Sequence, residues 1–368
     1  MPAHPTRRAW MGAATASPLL LTGCSPAKPA ASPLKIGQRL RDVADETLAF
    51  YAQIGVQYAT MPAAFRTEVS EGVVPPPGRA PSGEFRAWDA EALHRIKSHI
   101  EAAGLRVELI NLGGFHRTLH GRPGFEEETE AVCACIRIAG QLGIPVVEYN
   151  FTPLRGSEGY YTVPGRGGST LRAFDSARVS GLPPLDGVGT HTREQMWERL
   201  ERFLKTVVPV AEQAGVRLAC HPNDPPIAEF RGAAQPVRSL ADLKRLAGVL
   251  DSPSNGITLD TGVMTEMGED AVEAIRYFGA RDRINHVHFR NVRVNRPYSQ
   301  YVEMFHDEGE ADLAACMRAF AETGYQQLLI PDHSPGIAGD VPGMHKGYAH
   351  AIGYMAGLRG ATLRLSYS

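Results

Sequence analysis

Four side chains that can bind a metal each end a short apolar run in the second half of the chain: His221, Asp260, His288 and Asp332. An ionised carboxylate at the end of a buried strand must be paired or coordinated to offset its desolvation. Two imidazoles and two carboxylates suit Mn²⁺, Fe²⁺, Co²⁺ or Zn²⁺, and the carboxylates with open water positions favour Mn²⁺ or Mg²⁺. We therefore predict that these residues hold one divalent cation, with Mn²⁺ preferred.

The elements that must position these residues alternate along the chain. Short apolar runs are separated by segments with apolar residues at helical spacing, which is typical of parallel strands joined by crossover helices. The predicted strands span 34–40, 56–61, 106–112, 146–151, 216–222, 256–261, 284–289 and 327–331. The predicted helices span 89–103, 126–142, 193–214, 239–250, 269–278 and 312–323.

Eight strand–helix units predict a single α/β domain over 34–368, a (β/α)8 TIM barrel. An open doubly wound sheet uses the same alternation, but polar residues at the carboxyl ends of the strands are the pattern of barrel active sites. Several predicted helices close on glycine, at Gly104, Gly143, Gly215 and Gly324, which indicates left-handed C-caps. Segments 75–78 and 156–189, rich in Pro or Gly, are expected to be long loops.

Composition narrows the range of partners. The chain has 368 residues, of which 43% are hydrophobic, and a formal net charge of -2. Because no overall positive field exists to attract nucleic acid, we expect a small-molecule substrate and no nucleic-acid partner. The five cysteines form no pattern of a disulfide framework.

The N-terminus predicts export. Arg7 and Arg8 precede a short apolar stretch at 12–21, and Leu21-Thr22-Gly23-Cys24 resembles a lipobox. Residues 1–24 are therefore interpreted as a twin-arginine-like lipoprotein signal peptide with Cys24 as the lipidation site, and 25–33 as a flexible linker. We expect an exported, membrane-anchored lipoprotein on the periplasmic or cell-surface side, attached to the membrane by its N-terminal lipid alone.

Several motifs together resemble the mannonate dehydratase family of the xylose-isomerase-like TIM barrel superfamily. They are Tyr149-Asn150-Phe151, Cys220-His221-Pro222-Asn223-Asp224-Pro225-Pro226, Leu259-Asp260-Thr261-Gly262, His288-Phe289-Arg290-Asn291, Pro331-Asp332-His333, Gly347-Tyr348 and Ala351-Ile352-Gly353. Their order also matches, and the resemblance covers roughly 104–360. It implies a metal-dependent hydro-lyase that converts D-mannonate to 2-keto-3-deoxy-D-gluconate and water.

The resemblance also implies residue roles. It carries over His221, His288 and Asp332 as ligands, whereas the fourth family ligand, a Cys in Leu-Cys-Thr-Gly, is Asp260 here. The chain further departs from the family at Glu148, Asn223 and Ile330, which stand where the family has Cys, Asp and Arg. Asp260 makes the ligand set harder and disfavours zinc.

His333 and Tyr348 match family positions near the reacting carbons, and we assign them acid/base roles. His333 directly follows the predicted ligand Asp332 in the sequence, and Tyr348 comes later in the chain.

Substrate contacts are expected from residues around the ligands. Arg290 offers a planar fork for a carboxylate. The other expected contacts are Asn150, Asn291, His286, His306 and Glu148. Glu148 is either a hydroxyl contact, an extra acid/base group or a salt-bridged strand-end residue. Glu303 and His306 lie on a loop after the seventh strand that is expected to cover the site.

Two other functions stay open at this point. Asp260 and export favour a keto-sugar isomerase or epimerase of the same superfamily. A non-catalytic lipoprotein that binds sugars or sugar acids is the other, although the retained His333 and Tyr348 argue against it. A homo-oligomer is also possible, and the sequence does not decide it.

Overall fold

A computed structural model of the protein describes residues 34–61, 85–153, 158–340 and 345–365. The predicted signal peptide, Cys24, the linker 25–33 and the predicted loop at 75–78 lie outside these residues.

The strands of the described chain include all eight predicted ones. In chain order they are β1 Lys35–Arg39, β2 Tyr58–Met61, β3 Arg106–Asn111, β4 Val146–Asn150, β5 Tyr160–Pro164, β6 Thr170–Asp175, β7 Arg217–His221, β8 Glu229–Phe230, β9 Ala233–Ala234, β10 Asn255–Asp260, β11 Ile284–His288, β12 Asn291–Arg296, β13 Gln300–Met304 and β14 Leu328–Ile330. Each predicted strand matches one of these to within two residues at either end.

The eight matching strands close into a parallel barrel in the order β1-β14-β11-β10-β7-β4-β3-β2. The prediction of a TIM barrel is therefore confirmed. The register brings the ends of the strands to one level, since Asp260 pairs with His288 and Asn150 pairs with His221. The barrel consequently delivers the predicted ligands to a single rim.

The described helices pack outside the barrel. They are α1 Asp45–Gln53, α2 Ala90–Ala102, α3 His116–His120, α4 Phe125–Gln141, α5 Arg193–Ala214, α6 Leu240–Val249, α7 Thr261–Glu266, α8 Ala271–Gly279, α9 Leu313–Glu322 and α10 His345–Leu365. The six predicted helices match α2, α4, α5, α6, α8 and α9 to within two residues.

Local chemistry sets the ends of these helices. Thr192 and Gln195 form a capping box at the start of α5, and Gly215 ends that helix at φ 67°. Gly104, Gly143 and Gly324 likewise have positive φ values of 91°, 67° and 70°. The predicted left-handed caps are therefore confirmed, because glycine adopts this conformation without a Cβ penalty.

The expected long loop at 156–189 is wrong in part. Its first half forms β5 and β6, and β6 pairs with β13 in a four-stranded antiparallel sheet of order β12-β13-β6-β5, here called the cap sheet. Phe174 stacks on Tyr301 at a centroid distance of 5.4 Å, and Tyr160 packs against both rings. These aromatic contacts hold together two segments that are far apart in sequence, which the local Gly content concealed.

The barrel interior is filled at its centre by small and branched side chains, with Leu109, Val146 and Ala219 forming one buried cluster. Within the described residues, no helix combines the length and apolar character that a bilayer crossing needs.

Candidate metal centre

The four predicted ligands meet at the carboxyl ends of β7, β10, β11 and β14. His288 Nδ1 lies 2.9 Å from His221 Nε2, 3.5 Å from Asp260 Oδ2 and 3.4 Å from Asp332 Oδ2. His221 Nε2 lies 3.6 Å from Asp260 Oδ2. All four residues are buried. The sequence prediction that these side chains converge is correct.

These separations fit one bound cation. Ligand atoms that share an ion at about 2.1 Å lie about 3.0 to 3.4 Å apart. Both carboxylates are held in the charged form that coordination requires. Burial opposes the charge, but Arg290 and the imidazoles hold the pKa of Asp260 far below its usual value. Burial likewise opposes the charge on Asp332, whose pKa is lowered by His288, His333 and Arg39.

Backbone geometry aims the carboxylates. Asp332 has φ 54°, a left-handed conformation that is uncommon for residues other than glycine and concentrates at functional sites. Asp260 uses Oδ1 to accept the Val263 amide at 2.8 Å, capping α7, which leaves Oδ2 facing the imidazoles. The position of each residue at the end of a strand therefore places it on the rim, and the local backbone conformation directs the carboxylate toward the imidazoles.

Glu148 lies behind His288, which corrects its expected role as a substrate contact. Its Oε1 is 3.1 Å from His288 Nε2, the nitrogen that faces away from the other ligands, and accepts a hydrogen bond from Thr258 at 2.9 Å. Asn111 donates to Oε2. Burial opposes the charge on Glu148, but His288 holds its pKa well below the usual value. A carboxylate in this position orients the imidazole and raises its basicity.

Arg39, at the end of β1, was not expected at the site. Its Nη1 lies 3.2 Å from Asp332 Oδ1, and its Nη2 lies 2.9 Å from His288 Nε2 and 3.5 Å from Glu148 Oε2. The guanidinium therefore offsets part of the negative charge of the ligand cluster. The signal in the sequence was Arg39 itself, a charged residue at the carboxyl end of the first predicted strand.

Arg290 is not available to a substrate carboxylate, which corrects the sequence prediction. It is 1% exposed, and its guanidinium nitrogens are committed to Asp260 at 3.0 Å, Glu266 at 2.8 Å and Asp224 at 2.9 Å. Gly262 permits this close packing, because a Cβ at that position would lie 2.7 Å from Arg290 Nη1. Arg290 therefore supports a ligand.

Asp224 connects this buried network to the cap sheet. Its Oδ1 accepts hydrogen bonds from Tyr160 at 2.9 Å and Tyr301 at 2.8 Å, while Oδ2 pairs with Arg290. The family motif around His221 contains Asp224 but predicts no role for it, and neither tyrosine lies in a sequence motif. Their contribution depends on the tertiary pairing of the cap sheet with the barrel.

Two further expected substrate contacts are corrected because their polar atoms are occupied or enclosed. Asn291 donates to the backbone oxygens of His306 and Ala311 and accepts from the Ala311 amide. His286 is fully buried, with Nδ1 3.0 Å from the Leu328 oxygen. Burial lowers the pKa of His286 to about 3, so this histidine is a neutral interior residue.

His306 and Asn150 have different surroundings. His306 is also buried, and neither of its ring nitrogens has a hydrogen-bond partner among the described residues. Asn150 ends β4 beside His221 and is partly exposed. Asn150 therefore remains positioned to contact a substrate hydroxyl.

His333 and Tyr348, the predicted acid/base residues, both reach Asp332. His333 is 30% exposed at its side chain, with Nε2 3.5 Å from Asp332 Oδ2 and Nδ1 3.1 Å from Glu303 Oε1. Tyr348 donates its hydroxyl hydrogen to the Asp332 backbone oxygen at 2.9 Å and accepts from Arg41 at 2.9 Å. The structure therefore groups both residues around one ligand, with Glu303 beside them.

The closed parallel barrel is a TIM barrel of the xylose-isomerase-like kind, and its carboxyl rim carries a buried group of His, Asp and Glu side chains that could hold a metal ion. Solved structures agree with this class. D-psicose 3-epimerase from Clostridium cellulolyticum superposes with a TM-score of 0.56, covering 89% of this chain and 99% of the epimerase. At 12% identity this likeness concerns the fold alone.

Sequence comparison is more specific. The D-mannonate dehydratase family model matches residues 60–192 and 183–366. Mannonate dehydratase from Streptococcus equi subsp. zooepidemicus is 31% identical over 327 residues, covering 80% of this chain and 88% of the relative. The Thermotoga neapolitana relative of the same name is 32% identical over 329 residues, covering 78% and 89%. The crystal structure of mannonate dehydratase from Streptococcus suis has a TM-score of 0.79 at 27% identity, covering 92% of this chain and 95% of that one.

The chain therefore belongs to the D-mannonate dehydratase family, a family of hydro-lyases built on this barrel. The family resemblance predicted from the motifs is confirmed.

Proposed function

We propose that this protein removes water from a sugar acid, with D-mannonate as the substrate and 2-keto-3-deoxy-D-gluconate as the product. The convergence of His221, Asp260, His288 and Asp332 beside His333 and Tyr348 carries this proposal. Family membership supports the reaction class, and the chain spans most of the length of its relatives.

His221, Asp260, His288 and Asp332 would hold one divalent cation. When bound, the cation would bind substrate oxygens and stabilise negative charge that develops on them. The two carboxylates and the buried Glu148 behind His288 favour a hard ion, so Mn²⁺ is proposed ahead of Fe²⁺, Co²⁺ and Mg²⁺.

The protein's own acid and base then complete the reaction. A base takes the proton from C2, the C3–O bond breaks, an acid protonates the departing hydroxide as water, and the resulting enol becomes the 2-keto product. Burial raises the pKa of Tyr348, even though Arg41 opposes the change, so its hydroxyl keeps its proton and suits the acid. His333, exposed to the rim and close to Glu303, suits the base.

Product analysis tests the reaction. The metal-loaded protein is incubated with D-mannonate, and a 2-keto-3-deoxy acid is sought by periodate and thiobarbiturate, with loss of one water by mass. His333→Gln and Tyr348→Phe should abolish turnover while metal content is unchanged. Undiminished turnover in either variant would remove that residue from the mechanism.

The same assay tests a second function, a sugar isomerase or epimerase, which Asp260 favours because the family has Cys there. Epimerisation leaves the mass of the substrate unchanged. A product of unchanged mass from a keto-sugar, with none from D-mannonate, would replace dehydration by this function.

We also propose that the enzyme acts outside the cytoplasm, tethered by a lipid on Cys24. Support comes from the sequence alone, through Arg7-Arg8 and Leu21-Thr22-Gly23-Cys24. Mass spectrometry of the mature N-terminal peptide should find a diacylated Cys24, and Cys24→Ser should release the enzyme from the membrane fraction. An unmodified chain that begins before residue 24 would refute the tether.

A further inference from the structure

The guanidinium that the sequence pointed to for substrate carboxylate binding, Arg290, is enclosed by three carboxylates. A sugar acid nevertheless needs a cation for its carboxylate, because loss of the adjacent proton adds negative charge beside a group that is already charged. Besides the proposed metal, any side chain that pairs with this carboxylate therefore has to be a rim cation other than Arg290.

Two arginines lie two residues apart at the end of β1, Arg39 and Arg41. Arg39 is the last residue of the strand and Arg41 lies at the bend that follows it, and both side chains reach the surroundings of Asp332. Arg39 lies 3.2 Å from Asp332 Oδ1, and Arg41 donates to Tyr348, whose hydroxyl in turn donates to the Asp332 backbone oxygen. The two guanidinium groups thus flank one metal ligand and one proposed acid.

The two arginines differ in how far they are committed. Arg39 is 28% exposed at its side chain and contacts Asp332, Glu148 and His288. Arg41 is exposed and uses Nη2 for Tyr348, while its Nε and Nη1 have no hydrogen-bond or ion-pair partner within the described residues. Because Nη2 carries two hydrogens and only one is directed at Tyr348, the other Nη2 hydrogen forms a planar pair with the donor on Nε or on Nη1, and such a pair binds a carboxylate with two hydrogen bonds.

Arg172 is a third arginine near the site, but its existing contacts exclude it from binding the substrate carboxylate. Arg172 pairs with Glu303 at 2.9 Å and stacks on the Tyr160 ring at 3.6 Å, so its guanidinium is held by two other strands of the cap sheet. We infer that Arg41, with Arg39 behind it, binds the carboxylate of the substrate and so makes the site selective for sugar acids over neutral sugars. This inference rests on the proposed function for the identity of the acid.

Binding measurements on the metal-loaded full-length protein test the inference without requiring turnover. Isothermal titration is performed with D-mannonate and with D-mannitol, which has the same carbon chain but no carboxylate. The wild-type protein should prefer D-mannonate, and Arg41→Gln should weaken D-mannonate binding roughly 10- to 100-fold while leaving D-mannitol binding unchanged. Arg41→Lys, which keeps the charge but loses the fork, should fall between the two.

Arg95→Gln is the matched control, since Arg95 is exposed on α2 and pairs there with Glu91. It should bind both ligands as the wild type does. Metal content and thermal unfolding of each variant establish that the site is intact, and Arg41→Lys provides the comparison if Arg41→Gln folds poorly.

Equal binding of D-mannonate by Arg41→Gln and the wild type, or no wild-type preference for the acid, would overturn the inference. Failure of the proposed function looks different. In that case the wild type would bind D-mannonate through Arg41 and yet release no 2-keto-3-deoxy acid.

Discussion

Arg290 donates through Nε to Asp260 Oδ2 at 3.0 Å, the same oxygen that faces the imidazoles of His221 and His288. Burial would lower the pKa of Arg290, but Asp260, Glu266 and Asp224 hold it well above the usual value. A permanent buried cation therefore supports the carboxylate that replaces the cysteine of the family. The structure thus explains how Asp260 remains charged in an enclosed position.

Replacing Arg290 should be strongly destabilising. Arg290→Met leaves the buried Asp260 and Glu266 and the half-buried Asp224 without their cation, and removal of one partner from a buried ion pair costs about 3 to 5 kcal/mol. Urea unfolding in the presence of EDTA should report this loss. Arg276→Met is the control, because Arg276 forms an exposed pair with Glu322, and such pairs contribute roughly 0 to 1 kcal/mol. Equal losses in the two variants would contradict the role of Arg290.

Asp260→Cys should shift metal preference toward zinc. A thiolate is a softer ligand than a carboxylate, so the ratio of bound Zn²⁺ to bound Mn²⁺ should rise at least about tenfold. Competition dialysis with metal analysis measures this ratio. Asp186→Cys places a thiol on the surface instead and should leave the ratio unchanged. An unchanged ratio in Asp260→Cys would argue that Asp260 is not a ligand.

Glu303→Gln should slow turnover without removing the metal. Glu303 Oε1 lies 3.1 Å from His333 Nδ1 and is held there by Arg172 at 2.9 Å, so a carboxylate is fixed beside the proposed base. We expect kcat to fall roughly 10- to 100-fold with little change in KM. Glu308→Gln, in the turn that follows β13 and paired with Arg166, should retain activity. A change confined to KM would indicate instead that Glu303 contacts the substrate.

The barrel could be predicted from the sequence because each of its signals is local. Apolar runs, helical spacing and glycine C-caps depend on neighbouring residues, so strands such as β7 and helices such as α5 were found to within two residues. The convergence of the four proposed ligands was predictable for the same reason, since each lies at or within two residues of the end of a strand. Asp260 and His288 then needed only the barrel register to meet.

The surroundings of the ligands could not be predicted in this way. Arg290 looked like a free rim cation because its partners Asp224 and Glu266 are brought to it by separate segments. The hairpin β5–β6 was concealed by glycines because it is stabilised by Phe174 packing on Tyr301, more than a hundred residues away. Pairings of this kind depend on tertiary structure, which periodicity does not report.

His306→Leu should reduce the loss of stability in acid. Burial lowers the pKa of His306 to about 4, against 6.5 for the unperturbed side chain. The unfolded chain therefore binds a proton between pH 6.5 and about 4 that the folded chain does not, so the free energy of unfolding decreases as pH falls through this window. Above pH 6.5 the histidine is neutral in both the folded and the unfolded chain, so it does not lower the free energy of unfolding there. Between pH 7 and pH 5 this one histidine accounts for about 2 kcal/mol of the decrease.

Urea unfolding in EDTA at pH 7 and at pH 5 measures this decrease in the free energy of unfolding. In His306→Leu the decrease should be smaller than in the wild type by about 2 kcal/mol. His94→Leu, at an exposed position of α2, is the control and should behave as the wild type does. If both variants keep the full pH dependence, His306 is not the neutral buried histidine that its surroundings indicate.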